Sequence, residues 1–96
     1  MSQVNHPTHY NVSGKKECIV EMSEQFGYLA VLMFCVLNTY KYLYRAGYKD
    51  SKEQDINKAN WYSKYAKAIL DEHRIVRLVC KIFFPRIVKY IKETNA

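Results

Sequence analysis

A chain of 96 residues that is 49% hydrophobic makes one domain with a modest core, and chains this small often gain stability by self-association. Its net charge of +6 is uneven: residues 1–38 hold two Lys against three Glu, while residues 39–96 hold 13 Lys or Arg against six Asp or Glu. A basic half points to an anionic partner or to a solvated basic surface, and the longest apolar run, Leu29 to Leu37, is too short for the roughly 20 residues that cross a bilayer.

Residues 1–14 are polar, unlike a signal peptide, and contain "VNHPTHYNV", which has neither helical nor strand periodicity. They read as an extended arm ending at Gly14. In "KKECIVEMSEQFG" the residues Cys18, Ile19 and Met22 recur at helical spacing, so a short amphipathic helix is expected to stop near Gly27. Tyr28 to Ala46 holds neither Gly nor Pro. Its first half, "YLAVLMFCVL", is apolar on every side and is expected to be the central buried helix. Gly47 supplies a stop, and Asp50 or Ser51 can cap the next helix, with Glu53 in the capping-box position relative to Asp50.

That helix is expected from about Lys52 to about Glu72, with Ile56, Ala59, Tyr62, Ala66, Ile69 and Leu70 as its apolar stripe. "RIVRLVCKIFF" continues as helix after a bend near His73. Pro85 kinks or restarts the chain, and "RIVKYIKE" forms a last basic amphipathic helix. No strand pattern and no repeat is visible. The fold class is all-α: a compact helical bundle with a central antiparallel hairpin, an extended N-terminal arm over 1–14, a ligand-binding core over 15–72 and a basic helical extension over 73–96. The stripe Ile75, Val79, Ile82 and Phe83 suits that extension to oligomer assembly; a membrane-surface role is the weaker reading of it. Three widely spaced Cys among apolar neighbours, Cys18, Cys35 and Cys80, read as buried reduced thiols of a cytoplasmic protein. Nine Tyr suit interfaces and ligand pockets, or simply the edges of a core.

The second long helix turns polar on one side. Asn38, Lys41, Tyr42 and Arg45 fall at i, i+3, i+4 and i+7, and the next helix offers Asp55, Lys58 and Tyr62. Folding the hairpin about residues 49 and 50 sets Arg45 opposite Asp55, Lys41 and Tyr42 near Lys58, and Asn38 near Tyr62. Three cations facing one carboxylate are costly unless an anion joins them. A phosphate would do so, with Tyr42 and Tyr62 as stacking walls or hydroxyl donors; alternatively Lys41 and Lys58 turn outward and only Arg45 and Asp55 pair. An arm bearing His6, His9, Tyr10 and Asn11 suits a lid over such a pocket, or packing on the helix pair. His-x-x-His has no Cys or carboxylate spaced to complete a zinc site, so neither metal nor cofactor is expected.

The pattern "VNHPTHY", "ECI", "NTYKYLYRAGYKD" and "DINKANWY", over roughly residues 4–62, resembles a small, mostly phage-borne family catalogued as a domain of unknown function and often labelled nucleotide kinase. The resemblance marks His6, Pro7, His9, Tyr10, Glu17, Cys18, Asn38, Lys41, Tyr42, Arg45, Gly47, Lys49, Asp55, Lys58, Ala59 and Tyr62. It implies an all-α subunit, oligomers and handling of nucleotides, and it transfers no catalytic residues. The segment from His73 onward departs from the family's usual ending.

Three functions fit these residues. The first is capture of a phosphorylated nucleotide, including sequestration by a phage of a nucleotide-derived host-defence signal. The second is a nucleoside monophosphate kinase, with Lys41, Arg45 and Lys58 supplying charge and His6 or His9 positioning or relaying a proton. The chain has no G-x-x-x-x-G-K-[ST] loop and no carboxylate cluster for magnesium. The third is an RNA- or DNA-binding module using basic charge, Tyr and Trp61. Nucleotide binding needs least beyond what the residues supply.

Overall fold

The computed structural model describes residues 17–48 and 51–96. Within them the apolar spacing resolves into five helices: α1 Cys18–Phe26, α2 Tyr28–Arg45, α3 Lys52–Glu72, α4 Arg74–Phe83 and α5 Pro85–Thr94. No strand occurs among the described residues, and the all-α class holds. The arm over 1–14, Lys49 and the alternative cap Asp50 lie outside the described residues.

Each helix boundary has a local cause. Gly27 separates α1 from α2 with φ +91°, a backbone that L side chains rarely adopt. Ser51 caps α3, its hydroxyl accepting from the Gln54 amide at 3.3 Å. The bend at His73 is real, with φ −117° and ψ 96°. There Arg77 of α4 donates through Nη1 to the carbonyls of Leu70 at 3.3 Å and Asp71 at 3.1 Å. Those carbonyls belong to the last turn of α3, which has no intrahelical donors left for them. Tyr28 stacks on the His73 ring at 3.7 Å, tying the start of α2 to the same corner. Pro85 opens α5 at its first turn, where its missing amide costs nothing.

α2 and α3 form the antiparallel hairpin and make the most extensive packing in the molecule. The register is visible in two cross-links that run in opposite directions along the chain. Arg45 meets Asp55, and the buried Thr39 hydroxyl reaches the Ala59 carbonyl at 3.5 Å while donating to Cys35 at 2.8 Å. The core gathers Ile19, Val31, Leu32, Cys35, Val36, Ala66, Ile69 and Leu70 with Cys80, Val88 and Ile91.

Three expectations are corrected. First, α2 is central but not buried all round: Phe34, Leu37 and Tyr40 stay exposed. The molecule measures 36 × 35 × 20 Å, and 20 Å holds two layers of helices at 8–10 Å spacing, so among the described residues no third layer covers the outer side. Second, Cys18 is exposed. It is the first residue of α1, and Ile19 and Ser23 take the inward face. Third, the segment after His73 is not simply appended. Val88 and Ile91 of α5 and Cys80 of α4 lie in the shared core, and α5 is stapled to α3 by polar bonds. Ser63 and Thr94 hydroxyls lie 2.6 Å apart, and the Asn95 amide donates to the Ser63 hydroxyl at 2.8 Å and to its carbonyl at 3.1 Å. The apolar stripe of α4 is nonetheless uncovered at Ile75, Leu78, Ile82 and Phe83.

Candidate functional site

The polar flank of α2 meets the first half of α3 around one aromatic ring. Tyr42 lies parallel to Tyr62, with centroids 6.0 Å apart and planes within 8°. Tyr62 is in turn held edge-on by Phe34 at 5.7 Å and Trp61 at 5.1 Å. Asn38 is half-buried, one helical turn from both Phe34 and Tyr42, and so on the stretch of α2 that Tyr62 packs against.

Three cations converge on the Tyr42 ring. Lys41 Nζ is 4.5 Å from its centroid, Arg45 Cζ 5.3 Å and Lys58 Nζ 5.4 Å. The negative face of the ring attracts each of them, so it gathers charge that would otherwise disperse. Lys41 and Lys58 are exposed, and their ammonium groups lie over the ring.

Arg45 Nε donates to Asp55 Oδ1 at 3.2 Å, with the Arg side chain 29% exposed and the Asp side chain fully buried. The other carboxylate oxygen, Oδ2, is buried with no hydrogen-bond partner among the described residues. A buried carboxylate oxygen left without a partner among the described residues is costly to the fold.

Of the residues singled out in the sequence, the structure brings Lys41, Tyr42, Arg45, Asp55, Lys58 and Tyr62 together and sets Asn38 beside them. His6, His9, Tyr10 and Lys49 lie outside the described residues. Among the described residues no three His, Cys, Asp or Glu side chains gather as a metal ion would need, and no helix is long and apolar enough to cross a membrane.

The opposite flank of α2 was not singled out in the sequence. There a groove of about 420 Å³ runs between α2 and α5, lined by Leu37, Tyr40, Tyr90, Arg86, Lys89 and Glu93 among others. Its visible signal is Tyr40, Tyr44 and Tyr48 at four-residue intervals, which a reading centred on the polar stripe passes over.

Residues 4–64 match the model of a family described as proteins of unknown function, DUF3310, and the chain belongs to that family. The match spans α1, α2, the hairpin turn and the first half of α3, which hold every residue of the Tyr42 cluster. No curated protein and no solved structure matches the chain.

Proposed function

We propose that this member of the family captures a phosphorylated nucleotide, or a signal derived from one, on the α2–α3 face. The observation that carries the reading is the gathering of Lys41, Arg45 and Lys58 on the single ring of Tyr42, with Asp55 as the facing carboxylate. Phosphate oxygens would answer the positive charge that the two exposed lysines, Lys41 and Lys58, hold over the ring. The Tyr42 hydroxyl and the Asn38 amide add neutral donors. In this reading His6, His9, Tyr10 and Lys49 supply further contacts, and sequestration of a nucleotide-derived defence signal during phage infection is the use that needs no chemistry beyond binding.

Calorimetric titration with nucleoside mono-, di- and triphosphates tests it. Lys41→Ala and Lys58→Ala are suitable variants because both side chains are exposed and folding is not at stake. Each should weaken binding several-fold, the scale of an exposed charge contact worth about 0.5–1 kcal/mol. Lys92→Ala, on α5, should leave it unchanged. Equal losses at all three positions would mean diffuse electrostatics and no site. The mass of any small molecule co-purifying with the protein separates capture from conversion: an intact ligand supports capture, and a monophosphate together with its diphosphate product would overturn it.

The same reading takes the protein as a homo-oligomer joined through the exposed face of α4. Ile75, Leu78, Ile82 and Phe83 form a contiguous apolar surface on a helix whose inner face is already in the core, the pattern of an unsatisfied interface. Truncation at Glu72 is a poor test, since it removes Cys80, Val88 and Ile91 from the core. Sedimentation of Ile75→Lys with Ile82→Lys is the clean one, and an unchanged mass would refute the interface.

A further inference from the structure

α2 presents two flanks, and the second carries its own set of side chains. Leu37, Tyr40 and Tyr44 lie on the side toward α5 and are 69%, 60% and 75% exposed. The Tyr40 and Tyr44 rings are parallel to within 12° with centroids 6.5 Å apart. They sit one helical turn from each other, about 6 Å along the axis. Tyr90 of α5 closes the row, 6.1 Å from Tyr40 at a tilt of 46°. Burial, then the neighbouring Tyr40 phenol and Glu93 carboxylate, push the Tyr90 phenol above its ordinary range.

Charge identifies what could cover this row. The α5 wall of the groove supplies Arg86 and Lys89 against Glu93. Over residues 74–94 the chain carries Arg74, Arg77, Lys81, Arg86, Lys89 and Lys92 against Glu93 alone. A second copy of the same face would bring like charge against like charge. A flexible polyanion with flat aromatic groups along it matches both the cations and the parallel rings, and sequence-tolerant stacking on aromatic side chains beside a basic groove is how single strands are held.

We propose that the α2–α5 groove binds single-stranded nucleic acid, its bases stacking on Tyr40 and Tyr44 and its phosphates meeting Arg86 and Lys89. The site is distinct from the α2–α3 face, and neither reading depends on the other.

Fluorescence anisotropy of the full chain with labelled single-stranded dT and rU 15-mers tests this. Tyr40→Ala and Tyr44→Ala should each weaken binding on the order of 10-fold while leaving the salt dependence unchanged. The double variant Arg86→Gln with Lys89→Gln should reduce the slope of log affinity against log salt by about 1.4, two phosphates at about 0.7 each for a single strand. Lys64→Ala, at an exposed position of α3, should do neither. A sugar preference in either direction supports the proposal equally. It is overturned if neither oligomer binds, or if the tyrosine variants bind as the parent does, which would leave only diffuse charge. It is also overturned if the tyrosine variants change the sedimenting mass and not the anisotropy, which would make the row an interface between copies. Because Tyr40 and Tyr44 are exposed, thermal melts of the variants should match the parent.

Discussion

Removing Arg45 should expose how much the hairpin depends on one ion pair. In the folded chain Asp55 is fully buried and Arg45 is 29% exposed, with one bond of 3.2 Å between them. Deleting one partner of a buried pair costs about 3–5 kcal/mol, because the other charge stays buried without compensation. Water entering through the exposed side of Arg45 softens this, so the lower end, about 3 kcal/mol, applies to Arg45→Ala. Asp55 Oδ2 has no partner among the described residues to share the charge, so the cost does not fall much further. For a domain of this size about 3 kcal/mol lowers the melting temperature by about 12–24 °C. Replacing both residues with apolar ones, Arg45→Met with Asp55→Leu, removes the buried charge and should recover most of the loss. Circular dichroism melts and urea titrations of the three proteins read this directly. A single variant losing under about 1 kcal/mol would mean that the pair behaves as a surface salt bridge. A double variant no better than the single would assign the loss to Arg45 packing over Tyr42 instead.

Thiol labelling of the native protein should modify Cys18 alone, since Cys18 is exposed and Cys35 and Cys80 are buried; all three should react once the chain is unfolded. Burial pushes the Cys35 thiol up from 9.0 to about 12, so between those pH values the unfolded chain sheds a proton that the folded one keeps. Stability should therefore fall as pH rises above about 9, by about 1 kcal/mol per pH unit from this group, with buried Cys80 and half-buried Tyr65 and Tyr90 adding in the same direction; Cys35→Val should make the slope shallower in denaturant titrations. Ile91→Ala should cost about 2–5 kcal/mol, because Ile91 is 1% exposed in the shared core, whereas exposed Ile82→Ala should stay within about 0.5 kcal/mol under monomeric conditions. Gly27→Ala should cost about 1–3 kcal/mol through backbone strain alone, since an added Cβ there meets nothing within 4 Å and only φ +91° opposes it.

The order of the helices and the hairpin register are written in the chain itself. Gly27, Gly47, Ser51 and Pro85 act locally, through φ, capping and the missing amide, so their effects need no tertiary knowledge. The pairing of Arg45 with Asp55 also follows from sequence, because a short turn between two helices leaves one antiparallel register and helical spacing does the rest. Which apolar residues end up covered is a different matter. Leu32 and Leu37 look alike in "YLAVLMFCVL", yet one is fully buried and the other is 69% exposed, because the two-layer bundle has, among the described residues, no third helix to place over α2. The C-terminal helices show the same limit. Their sequence pattern reads as a basic extension, and only the docking of Val88 and Ile91 beside Ala66 and Ile69, held by Ser63, Thr94 and Asn95, makes them part of the core. The tyrosines divide in the same way: helical spacing alone put Tyr42 on the polar flank, whereas the groove beside Tyr40 exists only because α5 folds back more than forty residues later in the chain, a long-range contact that no local pattern encodes.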